Sequence, residues 1–337
     1  MNITYIFRTP GKERSIERVF DPVMQYLSAN GHCVKASFAK NSKLWPLAML
    51  YNVLRYALLS YFHQNRVFHI TGDVQYVACW MNPKNTILTI HDCVTLHNKD
   101  IPKWFKWIVH KFWYEKPLRQ LYRITCISEA TRQDLIHFFP WIQEKLVVVH
   151  NPVGREFQYT PKVFDNDCPV ILHIGTRNNK NLERVIESLE GIHCKLLIVG
   201  KLSNEQSMLL QKYKINFENR FHISDEEIVS AYKNADIVSF PSLFEGFGMP
   251  IIEGQTIGRP VVTSQIEPMC SVAGDGAVLV DPESIVSIRS GFLKLIADND
   301  YYESVIKLGR MNSMKYNIKS IANNYLDLYK HIKYNIR

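Results

Sequence analysis

At 337 residues the chain is long enough for two domains of roughly 150 residues each. Its composition, 46% hydrophobic and 21% charged with 15 Gly and 15 Pro, excludes a disordered, collagen-like or disulfide-scaffold protein. The formal charge of +8 is unevenly spread: residues 1–160 hold 20 Lys and Arg against 11 Asp and Glu, whereas residues 161–337 hold 20 against 21. A basic first half is either an ordinary solubilising surface or the side that meets an anionic partner such as a membrane, a phosphorylated acceptor or a nucleic acid. The seven cysteines form no CxxC pair, apolar runs fall short of the ~20 residues that span a bilayer, and the N-terminus lacks signal-peptide features. These features predict a protein of the reducing cytoplasm.

In chain order, residues 3–7 open as a buried strand. Residues 15–30 then carry Ile16, Val19, Phe20, Val23 and Leu27 at the spacing of a helix face, with Gly31 where a C-cap belongs. Residues 67–71, 86–90, 124–128 and 145–150 read as further strands joined by helical patterns, which favours parallel pairing. The apolar stretch 44–62 reads as a helix of the core, or else as added apolar surface for a membrane interface. Residues 151–169 mix Pro, Gly, Asp and Asn without periodicity, as a linker does. A second series follows, with strands at 170–175, 195–200, 235–242 and 260–264 and a helix from Leu182. The expected architecture is therefore α/β, with domains at 1–160 and 161–317 and a final helix, about 318–337, that packs back on the first domain. No GxGxxG follows a strand, which leaves a dinucleotide-dependent dehydrogenase with little support.

Residues 240–264, FPSLFEGFGMPIIEGQTIGRPVVTS, are the most informative. Glu245 and Glu253 stand eight apart, Gly246–Phe247–Gly248 follows the first, and Pro250 suits a first helical turn. A helix beginning there points unbonded amides at an anion such as a diphosphate, with Glu253 expected in its first turn. Glycines 246 and 248 allow the backbone close to that ligand. Arg177 and Lys180, between a strand and a helix, are suited to neutralising a diphosphate leaving group. His91 and Asp92 close a strand, where ligands gather in open α/β sheets. Ser128 is placed to cap the next helix, and Asp134 lies within it.

Together these motifs resemble the E-x7-E glycosyltransferases: retaining, nucleotide-sugar-dependent enzymes of family four, the group 1 type related to glycogen synthase. The resemblance covers roughly residues 85–290. It implies the GT-B fold, two Rossmann-like βαβ domains facing across a cleft, the first binding the acceptor and the second the donor. It also implies that Glu245 lies near the transferred sugar, that Gly246, Phe247, Gly248 and Met249 contact sugar and diphosphate, and that Glu253 binds the ribose hydroxyls. Ile223 falls in the stretch that frames the base. His91 faces the donor sugar, and Asp92 holds its turn or meets the acceptor. The family's Arg and Lys are usually further apart than Arg177 and Lys180. Its paired glycines after the first strand are reduced here to Gly11, flanked by Arg8, Lys12 and Arg14, so Gly11 and Lys12 are assigned to diphosphate or acceptor.

The implied activity is transfer of a hexose from a nucleotide sugar, UDP- or GDP-linked, to a hydroxyl of a glycan acceptor. No metal ion or other cofactor is expected, because Arg177, Lys180 and the loop amides stabilise the leaving group and no DxD-type run sits where a metal-dependent fold would need it. A lipid-diphosphate-linked acceptor of bacterial O-antigen or capsule synthesis, at the cytoplasmic face of the inner membrane, agrees with the basic first domain. Residues 101–119, with three of the six tryptophans and five Lys or Arg, suit either a helix on an anionic membrane or an amphipathic helix with aromatic packing. Two alternatives share the architecture: a nucleotide-sugar epimerase and a non-catalytic sugar-nucleotide binder. A nucleic-acid binder has the charge but none of the motifs.

Overall fold

Strands β1 (Asn2–Phe7), β2 (Cys33–Phe38), β3 (Arg66–Ile70), β4 (Thr86–Ile90), β5 (Ile124–Cys126) and β6 (Leu146–Val148) form one six-stranded sheet in a computed structural model that describes residues 1–9, 15–41, 44–97 and 101–335. A second sheet holds β7 (Val170–Ile174), β8 (Lys195–Val199), β9 (Phe217–Arg220), β10 (Ile237–Phe240), β11 (Val261–Ser264) and β12 (Val278–Val280). The paired strands are parallel in both. The chain divides into two units, Met1–Pro152 with Ile318–Arg337, and Val153–Asn317.

The first sheet runs in the order β2-β1-β3-β4-β5-β6. Side chains alternate across it as the two-residue period requires: Ile3, Tyr5 and Phe7 join one core cluster, Ile6 the other. Helix Ser15–Ala29 buries Ile16, Val19, Phe20, Val23 and Leu27, and Gly31 follows with φ +81°. Helix Ile318–Asn335 packs beside it, burying Ile321, Tyr325, Tyr329 and Ile332. A polar chain fastens this helix to the sheet. The Tyr329 hydroxyl lies 2.6 Å from His69 Nδ1 and donates to the Tyr5 hydroxyl at 2.8 Å, and His69 Nε2 lies 2.7 Å from Thr89 Oγ1.

Helix Trp45–Phe62 fills the core role expected of it only in part. Its buried side chains are Asn52, Tyr56 and Ser60, three polar groups spaced one turn apart. Asn52 donates to the Lys40 carbonyl and the Tyr76 hydroxyl, Tyr56 and Ser37 share a hydrogen bond, and Ser60 Oγ accepts from the Asn82 amide. Because these groups find partners in the protein, the polar stripe turns inward; Met49, Val53 and Leu59 flank it half-buried against the core, and Leu47, Leu50, Leu54 and Leu58 turn outward.

Residues 103–120 are helical throughout, with a π segment, His110–Glu115, between Lys103–Val109 and Lys116–Gln120. Trp104 and Trp107 are exposed, Ile108 and Phe112 half-buried, while Val109, Tyr114 and Leu118 enter the core. Gly11, Lys12 and Arg14, named from the sequence, lie outside the described residues. Strands β2, β9 and β12 are additions to the strands expected from the sequence.

The second sheet runs β12-β11-β10-β7-β8-β9. From β7 the chain winds outward to β9, then returns to place β10 on the other side of β7. The loops after β7 and β10 therefore diverge, opening a crevice at the carboxyl ends of those strands. The first sheet has the same switch point between β1 and β3.

Candidate active site

In the second unit, the loops after β7 and β10 bring together residues 65 positions apart. Lys180 ends a short 3-10 turn, Asn178–Lys180, and its Nζ donates to Glu245 Oε1 at 2.5 Å. Asn179 Nδ2 donates to the same oxygen at 3.2 Å. The Lys180 ammonium also lies 4.7 Å from the centre of the Phe240 ring. Both members of the ion pair keep part of their surface in solvent, so the site presents a cation and a carboxylate to a ligand from one edge. Arg177 is exposed at the start of the turn.

Past Glu245, Phe247 is buried and packs edge-on against Tyr316, which anchors the loop. Gly248, at φ +103°, ψ 53°, caps helix Met249–Ile257 in a left-handed conformation that a Cβ would strain. No side chain caps this N-terminus, and Pro250 occupies the first turn. The helix begins at Met249, so Glu253 is its fifth residue and stands one turn further in than its expected place in the first turn. Its position is set by Tyr232, whose hydroxyl donates to Glu253 Oε2 at 2.5 Å. Burial, and then the Glu253 charge, push the Tyr232 phenol well above its ordinary range, so it remains a donor. Ile223 is half-buried in the loop between β9 and helix Asp225–Asn234, which Ser224 caps in a reciprocal box with Glu227.

In the first unit, His91 follows β4 and turns its imidazole towards the end of β3. Its Nε2 lies 2.7 Å from the Thr71 carbonyl, which only accepts, so Nε2 carries the proton and Nδ1 is the acceptor of the neutral ring. Burial lowers its pKa, with the Thr71 bond acting in opposition. Asp92 Oδ1 accepts from the Val94 amide at 3.1 Å, so Asp92 holds the turn. Across the switch point, Arg8 donates to Asp73 Oδ2 at 2.6 Å. Ser128 caps its helix, accepting from the Thr131 amide, and Asp134 pairs with His97.

A cavity of about 270 Å³ opens beside His91 and Asp92, with Asp73, Gln75 and Thr95 as further polar lining. Phe105, Val109, Trp113 and Tyr114 from the 103–120 helix form its apolar side. Trp113 is locked by donation from Nε1 to the Asp73 carbonyl, and the Tyr114 hydroxyl donates to the Asp92 carbonyl. Gln75 is buried, and its Oε1 has no hydrogen-bond partner among the described residues. Carboxylates, an amide and aromatic rings in one small cavity suit a polyhydroxylated ring: the first hydrogen-bond hydroxyls, the last cover apolar C–H faces.

Tyr232, Asn179, Asp73, Gln75 and Trp113 were not reached from the sequence. Each acquires its role from a partner, or for Gln75 from cavity neighbours, distant in the chain. The one local hint was Trp113 within the aromatic stretch.

Residues 6–157 match the model of Glycosyltransferase Family 4, and residues 155–311 that of Glycosyl transferases group 1. The chain belongs to the group 1, family-four glycosyltransferases, and it is a glycosyltransferase. It is 22% identical over 275 residues to the O-antigen chain mannosyltransferase B of Escherichia coli, covering 73% of this chain and 70% of that protein. Among solved structures, a glycosyltransferase from Rickettsia africae superposes with a TM-score of 0.78 at 19% identity, over 99% of this chain and 100% of the other. HepE of Anabaena, solved with UDP and glucose, gives 0.75 at 13% identity, over 97% and 99%. The fold is GT-B, as the motifs implied.

Proposed function

We propose that the protein transfers a hexose from a nucleotide sugar to a hydroxyl of a glycan acceptor, with retention of anomeric configuration and without a metal ion. The observation that carries this reading is the Lys180–Glu245 pair at the switch point of the second sheet, beside an N-terminus with no side-chain cap and a tyrosine-held Glu253. Lys180 and Arg177 neutralise the departing diphosphate, with the amides from Gly246 to Met249 supplying further donors. Glu253 takes the ribose hydroxyls, and Ile223 lies against the base. Glu245 orients Lys180 and the sugar; it acts through charge and position, not as a covalent nucleophile. His91 Nδ1 accepts a hydrogen bond from a hydroxyl of the donor sugar.

The acceptor's terminal sugar enters the cavity beside Asp92, with Trp113 as its apolar platform. We further read the acceptor as a lipid-linked glycan of bacterial surface polysaccharide synthesis, met at the cytoplasmic face of the membrane. The O-antigen mannosyltransferase among the relatives and the basic first half support this, and the exposed aromatics of residues 101–119 support membrane contact. Among the described residues no helix is long and apolar enough to cross a membrane.

A thermal-shift panel of UDP, GDP, dTDP, ADP and CMP with their common sugars tests the donor site. A UDP- or GDP-sugar at 100 times its dissociation constant stabilises the protein by about 2.7 kcal/mol, and Glu253→Ala removes most of that shift. No shift with any nucleotide overturns the donor assignment.

A further inference from the structure

Helix Trp45–Phe62 is amphipathic in reverse. Its polar stripe, Asn52, Tyr56 and Ser60, is fully buried and hydrogen-bonded, while Leu47, Leu50, Leu54, Leu58, Tyr61 and Phe62 are exposed, Phe62 at 79%. The first five recur every three or four residues and Phe62 lies one turn past Leu58, so they form one continuous stripe along the roughly 27 Å of an 18-residue helix. The orientation is not the result of loose packing, because the buried polar bonds fix the helix on its axis. A water-facing helix of this composition wastes the free energy of burying large apolar side chains, and its stripe marks an interaction surface.

The surrounding charge selects the occupant. Residues 22–72 contain no Asp or Glu, and the described residues of that stretch include four cations: Lys35, Lys40, Arg55 and Arg66. Lys35 and Lys40 are exposed, and the Lys40 ammonium rests 4.5 Å from the centre of the Tyr51 ring on the helix itself. A two-fold pairing with a second copy sets this cationic surround against its own image, at an electrostatic cost. An anionic lipid surface complements both parts, taking the leucines into the acyl boundary and the cations at the headgroups. Trp45 at one end and Tyr61 at the other are amphipathic rings of the kind that settle at headgroup level.

We propose that helix Trp45–Phe62 lies in the interface of an anionic phospholipid bilayer and is the principal membrane-docking element of the first unit. This rests on the membrane reading above and moves its centre from residues 101–119, whose Trp104 and Trp107 become secondary contacts.

Flotation with vesicles of phosphatidylcholine, alone or with about one-third phosphatidylglycerol, tests it. The wild type floats with the anionic vesicles and much less with the neutral ones. Leu50→Gln/Leu54→Gln/Leu58→Gln, three exposed positions, lowers the bound fraction about tenfold with an unchanged melting temperature, whereas Trp104→Ala/Trp107→Ala lowers it less. The proposal is overturned if the wild type stays with the soluble fraction, or if the triple variant floats as well as wild type. It is also overturned if light scattering finds a wild-type dimer that the triple variant dissolves without any vesicle binding. The nucleotide thermal shift, measured on the same preparations, reports the second unit alone, so failure of the donor assignment and failure of membrane docking are separately visible.

Discussion

The His91 imidazole lies directly over Gly72: a Cβ at position 72 would stand 2.7 Å from His91 Cδ2 and 3.1 Å from Nε2. Gly72 also holds φ +130°, outside the range of ordinary side chains. The turn after β3 thus gives the histidine both its carbonyl partner, Thr71, and the empty space its ring occupies.

Gly72→Ala is therefore expected to displace His91 without touching the donor unit. Transfer at saturating donor falls about 10²-fold, comparable to His91→Ala, while the nucleotide thermal shift is retained. Single-turnover transfer beside nucleotide binding checks this. An active Gly72→Ala enzyme removes His91 from the mechanism.

Lys180 and Glu245 share one ion pair but separate in function. Lys180→Ala is expected to weaken nucleoside-diphosphate affinity by about tenfold or more, because a charge-assisted contact is lost. Glu245→Gln is expected to leave that affinity within a few-fold and lower kcat instead. Calorimetric titration of the diphosphate together with steady-state kinetics separates the two; equal loss of binding in both variants refutes the division.

Tyr232 holds Glu253 through one hydrogen bond of 2.5 Å. Tyr232→Phe keeps the ring and removes this bond to the carboxylate, and the preference for a ribonucleotide over its 2′-deoxy counterpart is expected to shrink several-fold. Glu253→Ala is expected to erase it. Competition binding with the ribo and deoxy nucleotides reads this directly.

Acid sensitivity follows from two histidines. His69 and His173 are fully buried, and burial pushes each imidazole down to about 3, against about 6.5 in an unfolded chain. Between those values the unfolded chain binds protons that the folded one refuses. Their stabilising contribution is thus complete above about pH 6.5 and declines as pH falls towards 3, by up to about 1.4 kcal/mol per pH unit for each histidine. Urea midpoints between about pH 7.5 and 5.5 are expected to fall on acidification, and His173→Asn to flatten that dependence.

What could be read from the sequence divides along physical lines. Buried central strands such as Thr86–Ile90 announce themselves because both faces must be apolar, and 86–90 was placed to the residue. Edge strands do not. Cys33–Phe38 lies at a sheet margin with exposed side chains, and Phe217–Arg220 reads FENR, so neither carries a hydrophobic signature. Helix Trp45–Phe62 was legible only in part for a related reason: composition reports how apolar a helix is, and only the partners of Asn52, Tyr56 and Ser60 decide which stripe turns inward.

The site divides in the same way. Glu245, the glycine loop and Glu253 are contiguous, so one segment of sequence specified their order, their helix start and the family. The Lys180–Glu245 contact, the Tyr232 clamp and the cavity that joins His91 to Gln75 and Trp113 bridge residues 16 to 65 positions apart. Sequence alone determined the class of protein, because local motifs and strand periodicity are short-range. Which side chains meet, which histidine nitrogen carries the proton and which helix face meets solvent were decided by the tertiary structure, because each depends on strand order and on groups that the chain brings together only when it folds.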